Sequence, residues 1–406
     1  MDYSANMMHK KAAASIEFAL SWQSFAVKHT DCFFARKVNF YRDTLPQKIT
    51  DLLLGKMAGD TIELPGIMKE IVSPFAQDNE FSIDQRQFDR LYTALGKTEP
   101  RVGRFYPKGL LKGLHGIFKG NIEPFRCAGI SDTTITVDFN HPLSQKDGKL
   151  IMTIKDIRRK EGEIGGSCTE WLEMITSGPG MQARYCGNPT DFFAGDPFAR
   201  TDEYEDAMFY TEPRLATHID NSAAFVIENL YGEILKDGSK VLDLMSSWRS
   251  HIPQNVKLDS LIGLGLNPEE MLQNRQLTDH IIHDLNRKPL LPFVDNEFSA
   301  VICTVSVEYL IHPFEVFREI ARILKPDGYF IVTFSNRWFP PKVVKIWTEL
   351  HDFERMGLVL EYFLQTDSYK NLETFSMRGL PRNEDDKYFP ETLNSDPVYA
   401  VWGQKG

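Results

Sequence analysis

Five cysteines in 406 residues, Cys32, Cys127, Cys168, Cys186 and Cys303, form no C-x-x-C pair and have no histidine at metal-ligand spacing. They read as free thiols, so a disulfide framework and a structural metal are both excluded as expectations. No stretch approaches the roughly 18 apolar residues of a membrane span. The N-terminal MMHKKAAASIEFALSW lacks a clean apolar core followed by a small-residue cleavage site. A cytoplasmic location is the resulting expectation. Basic charge is also scarce: 46 Lys and Arg against 56 Asp and Glu give a net charge of -10. A broad attraction to nucleic acid is therefore not expected.

Hydrophobic residues at 42% and charged residues at 25% are those of a globular chain, and 406 residues exceed one ordinary core. Residues 8 to 29 carry apolar side chains without a breaker, and an N-terminal helical segment is expected over 1–35. From 36 to 160 short β-rich runs follow, including GDTIEL (59–64), DTTITVDFN (132–140) and KLIMTIKDI (149–157). The next stretch, 161–215, is rich in Gly, Pro and acids (EGEIGGSC, SGPGMQ, FFAGDPFARTDEYED) and reads as an irregular connector. Ordered connectors of that length usually cover or build a site.

From 216 to 406 the pattern becomes α/β. A leading helix runs through HIDNSAAFVIENLYGEILK and is expected to act as a lid. After it, KVLDL (240–244), LIGLGL (261–266), HIIHDL (280–285), SAVICTVS (299–306) and YFIVTFS (329–335) are short apolar runs suited to a parallel sheet buried on both faces. Helical segments between them carry start signals, such as Asn267-Pro268-Glu269-Glu270. LETFSMRGL (372–380) and PVYAVWGQ (397–404) add two late strands. The sum is a doubly wound sheet, whose ligands bind beyond the carboxyl ends of the central strands.

KVLDLMSS, IGLGLNPEEML, HDLNRKPLLPFVDNEFSAVICTVSVEYL and EIARILKPDGYFIVTFS resemble, in order and spacing, the signature segments of ubiquinone-biosynthesis-type class I methyltransferases. The resemblance implies a Rossmann-like sheet of seven strands with the last antiparallel, S-adenosylmethionine as cofactor, and a small-molecule methyl acceptor. It places Asp243 near the methionine part of the cofactor. It sets Met245, Ser246 and Ser247 in the turn where the family usually has Gly-x-Gly. Gly265 aligns with the family's ribose-binding acid, and Asn267 is either a ribose partner or the cap of the next helix. Asp284 matches the acceptor for the adenine amine, with Leu285 against the ring. Val305 and Ser306 line the methyl-transfer channel, while Glu308 and Tyr309 face substrate or begin a helix.

Positioning does much of the work in methyl transfer, so no general base is obligatory. Polar candidates near the site are Tyr210, His218, Asp220 and His251, each with a structural alternative. SNRWFPPK presents Asn336, Arg337, Trp338 and Phe339 as an aromatic wall or a packed turn. Further upstream, LLLGKMAGDTIELPG (52–66) and TTITVDFNHPLSQKDGKLIMTIKDI (133–157), with the Asn140-His141-Pro142-Leu143 turn, resemble FKBP-type prolyl isomerases that carry a chaperone flap. This implies an α+β FKBP-like domain over 36–160, without a complete isomerase pocket, that offers a surface to a protein partner. The alternative for the whole chain is a non-catalytic binding protein whose altered cofactor turn has lost affinity.

Overall fold

The computed structural model describes residues 7–91, 97–159 and 167–406. Residues 1–6 of the expected helical segment and 161–166 of the connector lie outside them. In chain order the strands are β1 (Ala12–Ser24), β2 (Val27–Asn39), β3 (Thr61–Pro65), β4 (Glu80–Asp84), β5 (Phe105–Pro107), β6 (Pro124–Ile130), β7 (Thr134–Asp138) and β8 (Gly148–Arg159). There follow β9 (Lys240–Leu244), β10 (Ser260–Gly265), β11 (Asp279–Ile282), β12 (Phe298–Thr304), β13 (Leu324–Phe334), β14 (Tyr369–Arg378) and β15 (Val398–Lys405).

The expected helix over 8–29 is a correction: these residues hold all of β1, the first arm of an antiparallel hairpin, and the start of β2. Ile16, Phe18, Leu20 and Trp22 are buried at every second position. That period of two belongs to a strand, whatever the helix propensity of the alanines before it.

The described residues build two sheets. One runs in the order β11-β10-β9-β12-β13-β15-β14-β2-β1-β8-β3, the other β4-β7-β6-β5. Within the first, β9 to β13 are mutually parallel and β15 is antiparallel to both β13 and β14. Parallel pairing of β14 with β2 then carries the sheet into the N-terminal strands. The expected seven-strand sheet is thus part of an eleven-strand one. The expected boundary at 35 falls inside β2. The smaller sheet, inserted between β3 and β8, has its own core around Phe88, Tyr106, Phe125 and Val137.

Asp31 of β2 lies at the seam, fully buried. It accepts hydrogen bonds from Trp22 Nε1 (2.8 Å), Ser376 Oγ of β14 (2.9 Å) and Gln182 Nε2 (3.1 Å). Three chain segments are therefore tied to one carboxylate.

The helix Asn221–Ile234, expected as a lid, packs on the sheet instead: Ala223, Ala224, Ile227 and Tyr231 are buried in a core shared with β9, β12 and β13. Tyr231 Oη lies 2.6 Å from Thr304 Oγ1 and 3.1 Å from Thr333 Oγ1. Its one-sided apolar face decides this, since those side chains leave water only by lying on the sheet. No described helix is long and apolar enough to cross a membrane.

Candidate functional site

The carboxyl ends of β9, β10, β11 and β12 converge on a solvent-open cleft of about 790 Å³. Its lining includes Met245, Ser246, Ser247, Gly265, Asn267, Asp284, Leu285, Val305, Tyr210 and His218. Asp243 and His251 line an adjoining recess of about 550 Å³, which shares His218, Met245 to Ser247, Val305 and Ser306 with the cleft.

The turn after β9 holds its shape without glycine. Met245 adopts φ 57°, the left-handed region a glycine would take readily. Around it the serines knit the backbone down. Ser246 Oγ and Ser250 Oγ each donate to Asp243 Oδ2 at 2.6 Å, and Asn274 Nδ2 donates to Ser250 Oγ at 2.8 Å. Burial pushes the Asp243 carboxyl up to about 6 against the pull of the two serines.

Gly265 ends β10 directly beside this turn, where an added Cβ would collide with the Ser246 carbonyl oxygen. No acid fits there. Asn267 is committed to structure: its Oδ1 accepts from Glu270 N at 3.0 Å, capping the helix Pro268–Gln273, and its Nδ2 donates to Tyr210 O and Thr211 O at 2.9 and 3.2 Å. A carboxylate beside this turn is supplied instead by Glu270, which sequence reasoning missed as a site residue. Its Oε2 accepts from Ser247 Oγ at 2.6 Å and its Oε1 from Arg214 N at 2.7 Å. The signal was present as the third helical position after an Asn-Pro start, which turns a side chain back over the helix N-terminus.

Asp284 holds its own loop, Oδ1 accepting from Asn286 N at 2.9 Å, while Oδ2 has no partner among the described residues. The far wall is made by Tyr309 and Phe339, rings stacked at 6.0 Å and joined by Phe339 N donating to Tyr309 Oη at 2.8 Å. Of the expected aromatic wall only Phe339 lines the cleft. Trp338 lies under the Arg355 guanidinium, and Arg337 reaches Tyr388 and Asp396. Tyr309 faces the cleft, whereas Glu308 is buried behind it with neither carboxyl oxygen partnered among the described residues, its pKa raised by burial to about 8.

The connector supplies the cover. Lys342, 0% exposed, reaches Asp202 Oδ2 at 3.1 Å, Asp206 Oδ1 at 3.2 Å and Tyr204 O at 2.7 Å. Arg200 Nη1 and Asn286 Nδ2 also bind Asp206, each at 2.7 Å. Pinned in this way, Asp206, Tyr210 and Arg214 form one side of the cleft.

The polar candidates do not meet at one point. Tyr210 lines the cleft, with its phenol pKa raised by burial. His251 lines the recess: burial, and then Arg249, hold it down to about 4, so its ring is neutral at pH 7, and its buried Nδ1 has no described partner. His218 touches both spaces, its ring edge-on to Phe339 at 5.1 Å. Asp220 is structural. It caps the helix Asn221–Ile234 through Ala223 N (2.9 Å) and pairs with Arg382 (3.2 Å). His141, in the N-terminal lobe, accepts from Leu143 N at 3.1 Å and likewise serves its turn.

Residues 254–332 match the family model described as a methyltransferase domain. Over this stretch the chain is similar to methyltransferase domains. The match spans β10 to β13 and the cleft residues between them. A malonyl-[acyl-carrier protein] O-methyltransferase of Marinomonas sp. is 24% identical over 102 residues, 25% of this chain and 37% of that relative's length. Among solved structures, S-adenosylmethionine-dependent methyltransferases from Aquifex aeolicus (15% identity, 50% of this chain and 100% of that one, TM-score 0.31) and Mesorhizobium loti (13%, 44% and 96%, 0.30) are similar in part.

The methyltransferase-domain match implies S-adenosylmethionine as the cofactor. The residues present suit it. Asp284 lines the cleft with its Oδ2 unpartnered among the described residues, an acceptor free for the adenine amine. Among the described residues no group of His, Cys, Asp and Glu could hold a metal ion.

Proposed function

We propose that the chain transfers the methyl group of S-adenosylmethionine to a small molecule held between the methyltransferase cleft and the connector. One observation carries the reading: eight residues picked out by position in the sequence, Met245, Ser246, Ser247, Gly265, Asn267, Asp284, Leu285 and Val305, line one cleft, with Asp243 beside it. When bound, the cofactor supplies an electrophilic methyl on a sulfonium, and this chain's residues position the reactants. Asp243 would take the amino-acid ammonium. Asp284 would accept from the adenine amine through its unpartnered Oδ2, with Leu285 against the ring. Glu270 would accept from the ribose hydroxyls, replacing the acid that Gly265 cannot be. With the cover in place, Tyr210, Tyr309 and Phe339 exclude water from the acceptor side. Asp284→Ala should weaken cofactor binding by about 1–3 kcal/mol if the contact is buried.

The N-terminal lobe, with its inserted four-stranded sheet, supports an FKBP-like reading as a protein-contact module, and Phe118 and Ile122 are exposed on that insert. Little prolyl isomerase activity is expected, because the strand and turn that supply the family's pocket are not recognisable. Turnover comparable with an FKBP enzyme in a proline-peptide assay would contradict this.

The test of the whole reading is incubation of the purified chain with methyl-labelled S-adenosylmethionine and a small-metabolite extract. Label should move into the non-protein fraction. Label only on added protein would replace the small-molecule acceptor, and binding without any transfer would favour a non-catalytic role.

A further inference from the structure

Arg214 is held in an unusual way for a cation at a cleft. Its guanidinium carbon lies 4.4 Å from the Phe209 ring centroid, 5.1 Å from that of Phe339 and 5.5 Å from that of Tyr210. Nη2 donates to Phe209 O at 3.0 Å. Nη1 is buried and has no hydrogen-bond partner among the described residues. Glu270, an acid of the same cleft, is met by the Arg214 backbone N–H at 2.7 Å and not by the guanidinium. Asp206, also in the cleft, is already neutralised by Arg200 and Lys342. Aromatic faces offset part of the desolvation of a cation but do not satisfy an N–H group. A buried donor left this way is costly unless a ligand completes it.

We propose that Arg214 is the anchor for a carboxylate on the methyl acceptor, and that acceptors are small planar carboxylic acids. This rests on the cofactor reading above. A guanidinium fork matches a carboxylate in geometry and charge. The rings of Tyr210, Tyr309 and Phe339 around it offer stacking to a flat, conjugated body. Arg214 stands on the connector side of the cleft, among these rings, whereas Asp243 lines the recess beyond the turn after β9. The amino-acid end of the cofactor, directed to Asp243, therefore leaves Arg214 for the second reactant. The connector is then a specificity element as well as a cover.

The test uses the full chain saturated with S-adenosylhomocysteine, with trans-cinnamate and its neutral analogue cinnamamide as probes, read by calorimetry or saturation-transfer NMR. Cinnamate is expected to bind at least about tenfold tighter than the amide. Arg214→Gln should erase that preference, and Arg214→Lys, which keeps the charge without the fork, should retain part of it. S-adenosylhomocysteine and 5′-methylthioadenosine, which lacks the amino-acid end, should bind wild type and Arg214→Gln alike, with unchanged melting temperatures as the folding control. Equal binding of acid and amide, or a preference that survives Arg214→Gln, overturns the proposal. So does a selective loss of S-adenosylhomocysteine binding with 5′-methylthioadenosine unaffected, which would assign the guanidinium to the cofactor carboxylate. Failure of the wild type to bind S-adenosylhomocysteine would instead remove the cofactor reading itself.

Discussion

The carbonyl oxygen of Ser246 occupies the volume that a Cβ on residue 265 would need, so the turn after β9 and the end of β10 are fitted to each other at backbone level. Gly265→Ala should destabilise the fold by about 1–3 kcal/mol through overpacking, read as a lower urea midpoint. An unchanged midpoint would show that the two segments are not in register. Asp243 gives a second residue-scale expectation. Burial raises its pKa from the ordinary 3.8 to about 6, so the folded state prefers the neutral carboxyl. That contribution to stability is complete below the unfolded value and is lost as pH rises through about 6. Asp243→Asn should therefore stabilise the ligand-free protein at pH 8, by at most about 3 kcal/mol, and little at pH 4. Cofactor binding should run the other way, since pairing with an ammonium needs the ionised carboxylate. Affinity should fall as pH drops through about 6. A flat pH profile would detach Asp243 from the cofactor.

At the scale of elements, the connector is held by a buried cation. Lys342→Met would leave Asp206 with one cationic partner and release Asp202 and the Tyr204 carbonyl. Breaking a buried pair this way typically costs about 3–5 kcal/mol. The expected result is faster hydrogen exchange over residues 200–212 and weaker S-adenosylhomocysteine binding; exchange confined to wild-type levels would show that the cover is held by other contacts. What sequence reasoning could and could not read also separates by element. The strands β9 to β13 announced themselves as apolar runs between capped helices, because a strand buried on both faces has no alternation to misread. β1 was misread because Ala12, Ala13 and Ala14 are all buried and blur the alternation that begins at Ile16. The site followed the same rule. Residues at strand ends, such as Asp243 and Asp284, were legible from position. Glu270 and Arg214 depend on how a helix start and a connector fold back over the cleft, which local pattern does not encode.

For the whole molecule, parallel pairing of β14 with β2 and the Asp31 hub make the N-terminal strands and the strands that carry the cleft one sheet. Unfolding monitored by calorimetry and by tryptophan fluorescence should coincide in a single main transition. Asp31→Ala would strand three buried donors and lower that transition as a unit; two separated transitions would contradict the continuous sheet. The central claim, however, is that the cleft is an S-adenosylmethionine site built without the usual glycine turn and with its ribose acid moved to Glu270. Titration calorimetry with S-adenosylhomocysteine on wild type, Glu270→Gln, Asp284→Ala and Asp243→Ala tests it most directly. The account predicts a dissociation constant in the micromolar to sub-millimolar range for the wild type, weakened about tenfold or more in each variant. Saturating ligand that gives neither heat nor a thermal shift with the folded wild-type protein would contradict it.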